Sequence, residues 1–126
     1  MLHHISLPVA DLERSARLYD KVLAALGYRR VFSSKNFVGY GVEEGKDKFA
    51  IVASQNAISA GPGFHLALAA PSREAVDQFH QIALELGAVN NGTPGLREHY
   101  GPHYYAAFII DPDGHRIEAV INSEIA

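Results

Sequence analysis

The sequence predicts an α+β domain in which one strand–helix–three-strand module is used twice. Three observations predict it. The stretch His4-Ile-Ser-Leu-Pro-Val-Ala-Asp11 is echoed by His65-Leu-Ala-Leu-Ala-Ala-Pro-Ser72, the histidine standing seven residues before a helix-start residue in both. Each start is followed by an apolar stripe at helical spacing that ends in Leu-Gly. After each glycine the pattern changes to that of strands.

Asp11 and Ser72 suit the position before a helix, because their side-chain oxygens accept backbone N–H groups that the first turn leaves free. Leu12, Ala16, Tyr19, Leu23 and Leu26 form the first stripe, and Val76, Phe79, Ile82, Ala83 and Leu86 the second. Gly27 and Gly87 permit the left-handed backbone that stops each helix. Strands are expected over Tyr28–Ser33, Phe37–Val42 and Lys48–Ala53, with Glu44–Asp47 as a hairpin turn. The second half gives Ala88–Asn91, His103–Ile110 and His115–Ile121, with Asp111-Pro-Asp-Gly114 as a tight turn. Gly92–Pro102 reads as a long loop of the kind that covers sites on small scaffolds. A single domain of 126 residues results, with modules at about 1–54 and 64–126 and a linker over 55–63.

Composition removes several classes of function. With no cysteine there is no disulfide scaffold, thiol nucleophile or thiolate metal site. The longest apolar run, Tyr104–Ile110, has seven residues, too few to cross a membrane. The opening Met1-Leu2-His3-His4 lacks a basic then apolar stretch, so a cytoplasmic location is expected. A net charge of −3 without a lysine–arginine stripe speaks against nucleic acid. The expected partner is a small molecule.

Alternation sorts each strand into faces. Ile5, Leu7 and Val9 oppose His4, Ser6 and Pro8; Phe64, Leu66 and Leu68 oppose His65, Ala67 and Ala69; Ile117, Ala119 and Ile121 oppose Arg116, Glu118 and Val120. The apolar set belongs beneath the helices, which leaves His4, His65 and Glu118 on the other face. Two imidazoles and one carboxylate there form a candidate metal site with open positions. His3 is assigned to the core-facing set, and His80 and His115 to the surface. A second cluster, Arg97–Tyr105, gathers His99, His103 and Tyr105, groups suited to lining a pocket and to acid–base work.

The stretches His4–Ser15 with Tyr19, His65-Leu-Ala-Leu, and Asp111-Pro-Asp-Gly-His-Arg-Ile-Glu118 resemble the vicinal oxygen chelate superfamily, which includes glyoxalase I, fosfomycin and bleomycin resistance proteins, and extradiol dioxygenases. The resemblance spans essentially the whole chain. It implies paired βαβββ modules, with mixed sheets curled around a cleft that holds a divalent metal, and it places the metal positions on His4, His65 and Glu118. The fourth ligand of glyoxalase I-like relatives falls at Ala50 or Ile51, neither of which binds metal, so that isomerase chemistry is disfavoured. Phe108 replaces the tyrosine of the dioxygenase signature, and no fosfomycin-type serine- and arginine-rich loop is present. The implied activity is that of a metal-dependent lyase or dioxygenase acting on a small molecule with vicinal oxygens. Zn, Ni, Mn or Fe(II) is the ion; with Fe(II) or Mn(II), O₂ chemistry becomes possible, with His99 or His103 as the proton shuttle. The alternative is a metal-free module that sequesters small molecules, as bleomycin-resistance members do. The resemblance also implies a symmetric homodimer, with His4 from one chain and His65 and Glu118 from the other.

Overall fold

The structure, a computed structural model, describes residues 1–124; the last two positions of the expected second module lie outside the described residues. The elements run β1 (Ile5–Val9), α1 (Leu12–Ala25), β2 (Arg29–Ser33), β3 (Phe37–Gly41), β4 (Phe49–Ala53), β5 (Leu66–Ala69), α2 (Arg73–Glu85), β6 (Val89–Leu96), β7 (Tyr104–Ile110) and β8 (Arg116–Asn122). They form two four-stranded sheets, ordered β1-β4-β3-β2 and β5-β8-β7-β6. In each, the first strand pairs parallel with the last and the other pairings are antiparallel. The repeated α+β module is therefore the architecture found.

Local chemistry accounts for both helices. Asp11 and Ser72 are the N-caps, accepting from the backbone N–H of Arg14 and of Ala75. Gly27 and Gly87 close the helices at φ of 94° and 98°. The helices pack on each other and each covers one face of its own sheet. Tyr19, Val22, Leu23, Val76 and Phe79 are buried there with Ile51 and Ile109. None of the helices among the described residues is long and apolar enough to cross a membrane.

A polar clasp joins the modules. The buried Asp111 carboxylate accepts at Oδ1 from the backbone N–H of Asp113 and His115 and at Oδ2 from the Tyr19 hydroxyl at 2.6 Å. Asp113 accepts from the Ala10 N–H and the Arg14 guanidinium. His115 is buried rather than at the surface, because its Nε2–H donates to Pro8 O at 2.6 Å. His80 is buried as well, its Nε2 2.9 Å from Asn90 Oδ1.

The expected loop over Gly92–Pro102 is also corrected. β6 continues to Leu96, with register irregularities between Asn90 and Gly92 and between Gly92 and Gly95. It is an edge strand, where proline's missing N–H removes no necessary ladder bond and glycines mark bulges. Only Arg97–His103 turns between β6 and β7.

Candidate metal centre

Strand register decides which side chains meet. Ala67, Glu118 and Phe108 form one row across β5, β8 and β7, on the face away from α2. His65, two residues before Ala67, points along the same face, and its Nε2 lies 2.9 Å from Glu118 Oε1. Glu118 is only 1% exposed. Its second oxygen, Oε2, accepts from the Tyr104 hydroxyl. Burial first, and then the bond to Glu118, pushes the Tyr104 phenol up to about 12. The His65 ring stands edge-on to Phe108, with centroids 6.1 Å apart.

The corresponding row in the first module is Ser6, Ala50 and Gly39. The repeat therefore equates Ala50 with Glu118, whereas Ile51 faces the helices. Each module keeps its histidine, but only the second keeps a carboxylate on the strand. His4 is exposed, with Nδ1 2.8 Å from His3 Nδ1. His3 is exposed too and is not part of the core. Among the described residues no three histidine, aspartate or glutamate side chains come together. One chain thus joins His65 with Glu118 and leaves His4 apart.

The residues expected to do acid–base work separate. His99 is exposed and its ring packs 4.1 Å from that of Tyr100, which in turn lies 5.1 Å from Tyr104. An aromatic file therefore leads from His99 to the hydroxyl that holds Glu118. His103 turns instead towards Glu124, 3.8 Å away. Tyr105 faces α2, where its hydroxyl donates to Asp77 Oδ1 at 2.6 Å and Arg73 lies over its ring. The strand's alternation puts Tyr104, not Tyr105, on the face of Glu118. The same alternation, applied to the sequence from Phe108 backwards, singles out Tyr104. A mainly apolar cavity of about 270 Å³ lies on the other side, between Tyr40, Phe49, Leu66 and Leu68. His3 and His4 also line it, whereas His65 and Glu118 do not.

A buried carboxylate touching a half-exposed imidazole is donor chemistry for a divalent ion. The pair fits such an ion and supplies two protein ligands. Comparison with known proteins decides the family. The Glyoxalase/Bleomycin resistance protein/Dioxygenase superfamily profile matches residues 1–119. The chain belongs to this superfamily. Lactoylglutathione lyase of Escherichia coli O157:H7 is 31% identical over 143 aligned positions, covering 94% of this chain and 90% of that protein. A glyoxalase/bleomycin resistance protein from Albidiferax ferrireducens T118 superimposes with a TM-score of 0.80 at 32% identity, covering 94% of this chain and 95% of that one. A fosfomycin resistance protein, FosX, from Listeria monocytogenes, complexed with Mn(II) and 1S,2S-dihydroxypropylphosphonic acid, shares the fold with a TM-score of 0.69 at 18% identity, over 98% of this chain and 91% of that one.

Proposed function

We propose that this superfamily member is a metal-dependent enzyme acting on a small molecule whose vicinal oxygens chelate the ion. His65 and Glu118 of one chain and His4 of a second copy would hold the ion in a symmetric homodimer. The observation that carries this reading is the sealed Glu118 carboxylate, 2.9 Å from His65 Nε2 on the helix-free face. The His3 ring beside His4 Nδ1 leaves Nε2 as the ligating atom, since fixing one ring nitrogen orients the other.

When bound, the ion supplies a Lewis acid for the substrate's oxygens. Tyr104 keeps its proton and holds Glu118 Oε2 in place. His99, at the open end of the aromatic file, is the group placed to exchange a proton with solvent. A second reading, sequestration without a metal, draws on Tyr100, which is 58% exposed and offers a ring for an apolar ligand.

Complementation tests the proposal. His4→Ala and Glu118→Ala variants, each unable to bind metal as a homodimer, are unfolded together and refolded. Shared sites give mixed dimers one intact centre, because both lesions fall in the other, and Mn(II) binding returns. If no binding returns while wild-type protein binds Mn(II), each chain builds its own site. Wild-type protein that takes up none of Zn, Ni, Mn or Fe(II) sinks the metal reading, and ligand stabilisation insensitive to chelator then favours sequestration.

A further inference from the structure

The helix-free face of the second module carries a cation that the metal reading does not use. Arg97 follows β6, and its guanidinium lies 5.4 Å from the centroid of Phe108, the residue beside Glu118 in the row. Its Nη1 donates to Gly95 O at 2.9 Å and its Nη2 to Thr93 O at 2.7 Å. The space it occupies exists because two residues lack side chains. A Cβ on Gly92 would stand 3.2 Å from Nη2 and 2.8 Å from Phe108 Cδ1, and one on Gly95 would stand 3.3 Å from Nη1. The two irregularities of β6 fall at these glycines, so the strand's departures from regular pairing build a berth for the guanidinium.

That berth holds the charge without neutralising it. Of the five N–H donors of an arginine, the two carbonyls take two, which leaves three. Among the described residues no carboxylate lies within ion-pair distance of Arg97, although Arg14, Arg29 and Arg30 each have one. A permanently charged fork held rigid with free donors is what recognises a planar anion.

We propose that Arg97 is the specificity determinant of the site and selects a substrate that bears a carboxylate beside its metal-chelating oxygens. This rests on the reading of His65 and Glu118 as metal ligands. The carboxylate takes the free N–H groups of Arg97, while Phe108 and Tyr104 border the remainder of the molecule.

The probes are 3,4-dihydroxybenzoate and 3,4-dihydroxybenzamide, kept anaerobic, which share two vicinal oxygens for the ion and differ in the charge of the separate acid group. Their binding to the intact protein is measured by ligand-observed NMR with Mn(II)-free EDTA buffer and by calorimetry with saturating Mn(II), for wild type and Arg97→Met. Wild type should favour the benzoate by about tenfold in Mn(II), the effect of one charge-assisted contact, and the variant should bind Mn(II) normally with a ratio near one. A wild-type ratio near one in the presence of bound Mn(II), or a ratio that survives Arg97→Met, overturns the proposal and leaves the metal centre standing. Absence of Mn(II) binding with a benzoate preference in EDTA that Arg97→Met removes keeps the anion site and discards the metal. Absence of both refutes the two together. If Arg97→Met does not fold, Arg97→Gln replaces it, and about 10 mM guanidinium should restore the preference only where the charge is what recognises the acid.

Discussion

Removing the Tyr104 hydroxyl tests the candidate centre without touching a ligand. Glu118 is 1% exposed, and its carboxylate is held by His65 Nε2 and the Tyr104 hydroxyl. Tyr104→Phe leaves Oε2 without that donor in a place solvent does not reach. A hydrogen bond to a charged group contributes about 1.5–3 kcal/mol, and an unpaired buried acceptor costs a similar amount. The expected loss for the metal-free protein is therefore about 2 kcal/mol, or roughly 5–10 °C in Tm for a chain of this length. Tyr105→Phe is the control one residue away. Its hydroxyl also donates to a carboxylate, but Asp77 is exposed, so the loss should stay within about 0.5 kcal/mol. Both are read by urea denaturation in EDTA, with an unchanged m-value confirming that the native fold persists. Equal losses for the two variants, or a loss below about 0.5 kcal/mol for Tyr104→Phe, would refute the claim that Glu118 is sealed and dependent on Tyr104.

Tyr19→Phe strips one of three donors from the buried Asp111 and should cost about 2 kcal/mol in thermal unfolding, with His65–Glu118 metal uptake retained. Because the folded Tyr104 phenol is raised to about 12, the folded state keeps a proton that the unfolded chain gives up near 10. Its contribution is complete below about pH 10 and is lost as pH rises to 12, so the wild-type stability curve should fall more steeply there than that of Tyr104→Phe. Gly92→Ala places a Cβ 2.8 Å from Phe108 at a φ of 152°, and should cost about 1–3 kcal/mol by urea denaturation while weakening 3,4-dihydroxybenzoate more than Mn(II). Mn(II) affinity should fall between about pH 7.5 and about pH 5.5, because a ligating imidazole must be neutral; a flat calorimetric profile would exclude the histidines as ligands.

Periodicity made the architecture legible, because burial against a helix leaves a clear mark on every other strand residue. The caps at Asp11 and Ser72 and the stops at Gly27 and Gly87 stand where local chemistry put them. Two kinds of residue were illegible. His80 and His115 look like surface residues because their neighbours are polar, yet each is buried by one distant partner, Asn90 and Pro8. The glycines and proline of β6 look like a loop, since composition does not say that a strand lies at an edge or that its irregularities seat an arginine. For the site, the pairing of His65 with Glu118 was visible in strand alternation. Tyr104 was hidden by its neighbour, as two adjacent tyrosines differ only in the face they occupy.

The two modules have diverged in complementary ways. Where the second presents Ala67, Glu118 and Phe108 across its central row, the first presents Ser6, Ala50 and Gly39. The space above Gly39 is taken by Asp47, whose Cβ lies 2.6 Å from where a Gly39 Cβ would stand. The strands of the first face thus contribute a histidine at one end and small side chains beyond it, while the second contributes a carboxylate, an imidazole, an aromatic floor and a cation. Each is exposed at its histidine, His4 and His65, where the chemistry needs access. Apposition of one module's face with the other's would bring two imidazoles and one carboxylate around one ion, and the missing Ala50 carboxylate would leave a coordination position for substrate. In that arrangement Ala50 would leave the site open to an incoming molecule, and Arg97 would select the charge of the molecule that enters.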